Sequence, residues 1–218
     1  MSAPATTEPS PLRAVLLPPP AGEGDLTVSA ALKRRTTTRA FRPTSLPAQL
    51  LSDLLWAACG VNREVGPFGG SGRTAASASN SQEIDVYVAL DEGTYLYDAV
   101  GNRLTPIVGG DLRGEALTLG QRMVGPKAPV QLVYVVDIEK LTHTTGFQEP
   151  GLHDGDIQKS YYYVDTGIIA ANVYLFAAAQ GLGAWFHNCD RPGLAAALRL
   201  RDGQRVLFAQ SVGYPAGS

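Results

Sequence analysis

Apolar residues recur at helical spacing through Leu50, Leu51, Leu54, Leu55 and Ala58, with Pro47 in the first turn and Gly60 at the end. That pattern predicts a helix. A shorter one runs from Leu26 to about Arg34, with Asp25 as N-cap and Val28, Ala31 and Leu32 on one face. Farther on the period drops to two: Ile84, Val86, Val88 and Leu90 share one side of a strand. Asp91-Glu92-Gly93 turns the chain into Thr94 to Tyr97, which predicts a hairpin, and Asn102 to Val108 adds a short strand.

Asp111 to about Val124 reads as a helix ended by Gly125-Pro126. Pro129 then opens a near-continuous apolar strand, Val130 to Ile138, of a kind buried on both faces. Leu141 to Gly155 lacks a period and is expected to be loop. The longest helix spans about Ile157 to Gln180 and ends at Gly181; from Gly167 to Ala179 only Asn172 is strongly polar. A helix without a polar face must be covered on all sides, either as a central helix or at a subunit interface. Ala184 to Phe186 is extended, Asp190 caps a helix from Pro192 to about Leu200, and Val206 to Tyr214 closes the chain as a strand. Strands and helices do not alternate regularly, and no Gly-x-Gly-x-x-Gly follows a strand, so the class is α+β.

Composition narrows the function. A net charge of −2 over 218 residues lacks the broad basic face of a nucleic-acid binder. No apolar run approaches the roughly 18 residues of a membrane span. Cys59 and Cys189 stand alone, which fits reduced thiols in a cytoplasmic protein. His143, His153, His187 and Cys189 do not reproduce a metal-ligand spacing, so no metal is expected. Arg34-Arg35 is not an export signal, because Thr36-Thr37-Thr38-Arg39 stands where an apolar stretch should begin. Residues 1–24 read as a flexible Pro-rich lead, with Leu16 to Pro20 extended on the surface, and 25–218 as one domain.

Chemistry concentrates in two stretches. Lys33 to Arg39 packs four cations and three hydroxyls into seven residues, a donor set matched to phosphate, although a solvated basic helix end has the same composition. Thr74 to Gln82 is a run of small and amide residues that lets a backbone approach a flat ligand. Between them, Gly66 to Thr74 is not a phosphate-binding P-loop, since Pro67 and Arg73 replace the required Gly and Lys and no strand precedes it. It reads as a glycine-rich mobile loop or lid.

In order along the chain, Arg35 to Phe41, Leu50 to Ala58, Ser77 to Gln82, the Asp165-to-Gly183 helix and the closing Val212-Gly213-Tyr214-Pro215 resemble the FMN-dependent nitroreductase superfamily. Ile84 to Val88 is similar to the branch containing thiazole- and oxazole-forming dehydrogenases. The resemblance implies a nitroreductase-like fold: a central mixed or antiparallel sheet flanked by helices, with the long apolar helix at a homodimer interface that holds FMN. It implies that Arg35, Thr36, Thr37 and Arg39 hold the phosphate and ribityl chain, while Ser77, Ala78, Ser79, Asn80 and Gln82 contact the same flavin from the second subunit. Gln121 would reach the pyrimidine edge, and the backbone at His187-Asn188 would lie near the reactive N5. Two departures stand out: no Lys or Arg follows the closing strand, and Ala76 replaces a frequent Pro.

The flavin carries the redox chemistry, so no catalytic side chain is expected. The leading reading is an NAD(P)H-dependent, ping-pong reductase of nitroaromatics, quinones or related conjugated small molecules. The alternatives are an azoline oxidase of modified peptides and a non-catalytic flavin-binding protein. His187 could equally be a packed histidine, and Tyr161 to Tyr163 core aromatics. Arg73, Arg103 and Arg122 are candidates for a second phosphate on the donor.

Overall fold

The computed structural model describes residues 11–21, 26–123, 127–145 and 154–217. Nine strands and six helices are found among them: β1 (Val15–Leu16), α1 (Val28–Arg34), α2 (Ala48–Cys59), β2 (Val61–Arg63), β3 (Gly72–Arg73), β4 (Ile84–Ala89), β5 (Gly93–Asp98), β6 (Arg103–Gly109), α3 (Leu119–Arg122), β7 (Val130–Asp137), α4 (Ile138–Thr142), α5 (Gly155–Ala179), β8 (Gly183–His187), α6 (Arg191–Ala197) and β9 (Gln204–Gly213). Seven strands form one antiparallel sheet in the order β1-β6-β5-β4-β7-β9-β8, and β2 pairs with β3. The α+β class and the sheet flanked by helices are as expected.

All eight residues of β7 are buried, because β4 and β9 cover its edges and helices cover both faces. On one face, Leu54 and Leu55 of α2 and Ile169, Ala170 and Val173 of α5 meet Val86, Leu132 and Tyr134. On the other, Leu194 of α6 joins Val133, Val135 and Ala209. Gln210 in β9 accepts the Tyr134 hydroxyl proton and donates to Ala170 O, which pins α5 over the middle of the sheet.

Some boundaries move. Thr27 caps α1, its Oγ1 accepting from Ala30 N; the expected cap, Asp25, lies outside the described residues. The helix expected over Asp111–Val124 is only the single turn α3. Turns occupy the stretch before it, and Thr118 with Gln121 builds a capping box that starts the helix late. Its expected stop at Gly125-Pro126 lies outside the described residues. The supposed loop after β7 begins as α4, capped by Asp137, while 146–153, with His153, are not described.

The lead is also more ordered than a flexible tail over its second half. Val15 and Leu16 pair with Leu104 and Arg103, Leu17 is buried, and Pro18 O accepts from Ser52 Oγ at 2.5 Å. Of the stretch expected to lie extended on the surface, Leu16 is exposed in β1, whereas Leu17 turns into the core. Residues 1–10 lie outside the description.

Of the two placements expected for α5, central helix or subunit interface, the structure removes the first. Tyr162, Asp165, Thr166, Ile169, Ala170, Val173 and Ala177 form its buried side. Opposite them, Val164 is 60% exposed, and Gly167 and Ala171 are exposed too. A central position is therefore excluded, since the protomer leaves one apolar face bare. No described helix is long and apolar enough to cross a membrane.

Leu17→Ala tests whether the lead belongs to the domain. It is expected to lower the unfolding free energy by about 2–4 kcal/mol in urea titrations, the cost of truncating a buried leucine; a tail outside the domain would change it by less than about 0.5 kcal/mol.

Candidate functional site

The basic run leaves α1 through Arg35, whose N–H donates to Ala31 O, and crosses the free edge of β8. Thr37 forms a parallel bridge to Ala184, and Thr38 N donates to Ala184 O at 2.9 Å. A Cβ on Gly183 would meet Thr38 Cβ at 2.7 Å, so glycine permits this close approach. Beyond the run, Phe41 is buried and bridged to Pro215, and Arg42 N donates to Tyr214 O. Backbone contacts on both sides thus hold the run in one line.

Its side chains remain outward. Arg35 lies over the Tyr174 ring at 5.5 Å and Arg39 over Trp185 at 5.6 Å, and all of Arg35, Thr36, Thr37 and Arg39 are exposed. Among the described residues no carboxylate pairs with either guanidinium. Tyr174 was not foreseen. Its hydroxyl accepts from Phe186 N at 2.8 Å and lies 3.4 Å from Thr37 Oγ1, so one side chain orders β8 and the basic run together.

Gln121 joins this group across a small cleft it shares with Arg39, Trp185, Gln131 and Ser211. Its Oε1 accepts from Thr118 N at 2.8 Å, which leaves the amide NH2 for a ligand. Next to it, His187 is buried against Trp185, with ring centroids 4.6 Å apart, while Asn188 is exposed. His187 is thus a packed histidine.

Donor counting fixes its tautomer. Nδ1 is 2.8 Å from Asn188 O, a pure acceptor, so Nδ1 carries the proton and Nε2 accepts from Ser211 Oγ at 2.9 Å. Ser211 has then spent its only proton. The Gln131 amide beside it completes the chain when its otherwise unpartnered NH2 faces Ser211. Burial pushes the His187 pKa down, which agrees with this neutral form.

Ser77, Ala78, Ser79, Asn80 and Gln82 form a second group. Ala78–Asn80 is a tight 3-10 turn, and Ser79, Asn80 and Gln82 have φ of 49°, 56° and 51°. Such left-handed backbone in side-chain-bearing residues persists only where surroundings impose it. Here Asp165 Oδ2 accepts from Ala78 N at 2.9 Å, Ser77 Oγ from Gln82 N at 3.0 Å, and Ser71 O from both Asn80 Nδ2 and Gln82 Nε2. Arg73 Nε donates to Gln82 Oε1 at 2.7 Å, so the Gln82 amide is committed within the protomer. The glycine-rich loop serves as the support for this turn.

No described hydrogen bond or ring contact joins the two groups. Asp165 and Tyr174, which anchor them, are nine residues apart on α5, or about 14 Å along its axis. Of the arginines considered for a donor phosphate, Arg73 is tied to Gln82, Arg103 to Asp98 and Arg122 to Glu115. No thiol nucleophile stands ready: burial pushes Cys59 up to about 12 and Cys189 to about 11.

The sequence model of the Nitroreductase family matches residues 32–214. A Methanocaldococcus jannaschii protein carrying nitroreductase as a provisional name is 27% identical over 166 residues, 73% of this chain and 77% of that one. A crystal structure from Ralstonia eutropha, provisionally named in the same way, superposes with a TM-score of 0.80 at 32% identity, covering 95% of this chain and 91% of that one. A chain of the Escherichia coli microcin synthetase McbBCD complex, solved with truncated pro-MccB17 bound, shares the fold with a TM-score of 0.67 at 17% identity, over 91% and 77% of the two chains.

His187 supplies a pH test. Its folded pKa lies below the ordinary 6.5, so the unfolded chain takes up the proton first, and the stability it contributes is lost as pH falls from about 6.5 toward the folded value. His187→Gln is expected to flatten that part of the acid limb in urea titrations run between about pH 8 and 5. An unchanged slope would contradict the neutral assignment.

Proposed function

This chain belongs to the nitroreductase family, and from that membership we propose that it is an FMN-dependent oxidoreductase, active as a homodimer, carrying hydride from NAD(P)H to a nitroaromatic, quinone or similar conjugated acceptor. Membership itself makes it an oxidoreductase of the flavin type. The observation that carries the finer reading is the basic run, whose two exposed guanidinium groups lack carboxylate partners while their backbone is fastened to β8.

These residues fit a flavin nucleotide. Arg35 and Arg39, with Thr36 and Thr37, would hold the phosphate and ribityl chain through charge-assisted bonds. The free NH2 of Gln121 would donate to the pyrimidine edge, and the exposed turn at Asn188 would border the reactive edge. Ser77 to Asn80 would come from a second copy. In support, each protomer bares Val28 and Leu32 on α1, at 68% and 57% exposure, beside the uncovered side of α5, an apolar patch suited to self-association. When bound, FMN supplies hydride acceptance at N5 and passes the electron pair on. The protein binds, orients and excludes water, and no side chain is assigned a covalent or acid–base role. Two reactants sharing one open ring face give ping-pong kinetics. Free thiols at Cys59 and Cys189 accord with a cytoplasmic location.

The fold shared with a microcin synthetase chain favours one second reading, an azoline oxidase of modified peptides working beside a partner that binds the peptide. Oxygen-dependent turnover of such a peptide with no response to NAD(P)H would select it.

Purified protein, reconstituted with FMN if needed, is expected to be yellow and to bleach on anaerobic mixing with NADPH or NADH. Persistent colour without bleaching by either donor would mark a non-catalytic flavin-binding protein, and failure to take up FMN would overturn the proposal. The double variant Arg35→Ala, Arg39→Ala is expected to weaken FMN binding by about 100-fold or more, from two lost charge-assisted bonds at roughly 1.5–3 kcal/mol each.

A further inference from the structure

β8 is an edge strand, paired with β9 on one side and crossed by the basic run on the other. On that open side Ala184 O accepts from Thr38 N, and Phe186 N donates to the Tyr174 hydroxyl. Backbone groups along a strand alternate sides with a period of two. The N–H of Asn188, one residue beyond β8, is therefore next in line on the same edge. Among the described residues it has no acceptor.

A buried side chain controls the direction of that N–H. His187 Nδ1 donates to Asn188 O at 2.8 Å, which closes a small ring around the peptide link between the two residues. An amide N–H lies in the plane of its peptide, so closing the ring fixes Asn188 N–H relative to the imidazole. The imidazole is fixed in turn. Its Nε2 accepts from Ser211 Oγ of β9 at 2.9 Å, the Gln131 amide of β7 lies 2.9 Å from the same oxygen, and the Trp185 ring packs on it. His187, Ser211 and Gln131 are all buried, whereas Asn188 is exposed. A surface peptide is thus tied through three buried polar groups to two inner strands. Filling the space needs only an apolar ring; a satisfied polar chain adds rigidity and direction.

We propose that His187 is a positioning residue for the bound flavin, clamping the peptide to Asn188 so that its N–H points at the reducible edge of the ring. The inference rests on the flavin reading above, which sets Asn188 at that edge. It adds that the imidazole, through the peptide it clamps, tunes how readily the ring is reduced. The ring gains negative charge on reduction, so the positive end of an N–H dipole held against it favours the reduced form.

Redox titration of purified, FMN-loaded protein tests it with three variants. His187→Asn keeps an amide N–H as many bonds from the backbone as Nδ1, His187→Gln moves it out to the position of Nε2, and His187→Phe removes it. Expected in His187→Gln and His187→Phe is at least a tenfold loss of preference for reduced over oxidised FMN, a fall of about 30 mV in the two-electron midpoint potential. His187→Asn is expected to stay within about threefold of the wild-type preference. A histidine that only fills space would reverse that ranking and leave His187→Phe nearest to wild type. In nitrogen NMR spectra of FMN-free protein, His187 is expected to carry its proton at Nδ1 alone, a readout independent of the flavin. Unchanged or raised potentials in His187→Gln and His187→Phe overturn the proposal, as does a proton at Nε2; where one of these two variants does not fold, the other decides. Wild-type protein that takes up no FMN would sink the flavin reading and this inference together, whereas unchanged potentials in FMN-loaded variants sink the inference alone.

Discussion

Polar groups on one apolar helix anchor both segments that could meet a ligand. α5 buries seven residues against the sheet, yet it also carries Asp165, Asn172 and Tyr174 and offers the carbonyl of Ala170. Each meets a different segment: Asp165 the strained turn, Asn172 the chain at Thr74, Tyr174 the β8 edge, and Ala170 the centre of the sheet. Hydrophobic burial is non-directional and would permit α5 to slide or roll. These four bonds, each worth only about 1 kcal/mol net, fix its register. Because a helix rises by a constant step, fixing the register fixes the spacing between the two candidate groups.

The two groups use opposite means. The basic run has ordinary backbone held by bridges to Ala184 and Pro215, and its side chains are left to solvent and to aromatic faces. The Ser77–Gln82 turn has strained backbone, three left-handed φ values within four residues, and its amide side chains are consumed in holding it. Strain of about 1–3 kcal/mol per such residue is retained only where many contacts oppose its release. The turn can therefore present backbone groups in a fixed array, while the run presents exposed, charged donors. A ligand with a rigid ring and a flexible phosphate tail would suit that division.

The sequence made some of this legible. Strict alternation from Ile84 to Val88 and the apolar run from Val130 marked β4 and β7, and the length of α5 followed from the stretch without polar residues. The supposed helix at Asp111 misled because its apolar spacing is compatible with turns, and the capping box at Thr118 and Gln121 was the overlooked signal. Four cations in seven residues revealed the basic run, but its fastening to β8 depends on backbone bridges that leave no mark in composition. Tyr174 and Asp165 were hidden for the opposite reason. Within an apolar helix they look like core and chance, and only the tertiary partners of their polar atoms give them roles. Gln82 reads as a ligand donor, yet an arginine nine residues earlier claims its amide oxygen.

The exposed stripe of α5 is where self-association would join these features. Gly167 and Ala171 lie on the face opposite the sheet, in the stretch between Asp165 and Tyr174, with Val164 just before it. A protomer alone leaves that face in water beside Val28 and Leu32 of α1. Small residues at Gly167 and Ala171 would let a second α5 approach closely, and a two-fold pairing would repeat every contact. A two-fold crossing near the middle of this stretch could bring the Asp165 end of one copy toward the Tyr174 end of the other. The strained turn of one protomer would then stand near the basic run of its mate, closing a gap of about 14 Å that neither copy spans by itself. The apolar face and the divided site would then be two aspects of one constraint, since the pairing that covers the helix would also bring the two candidate groups together.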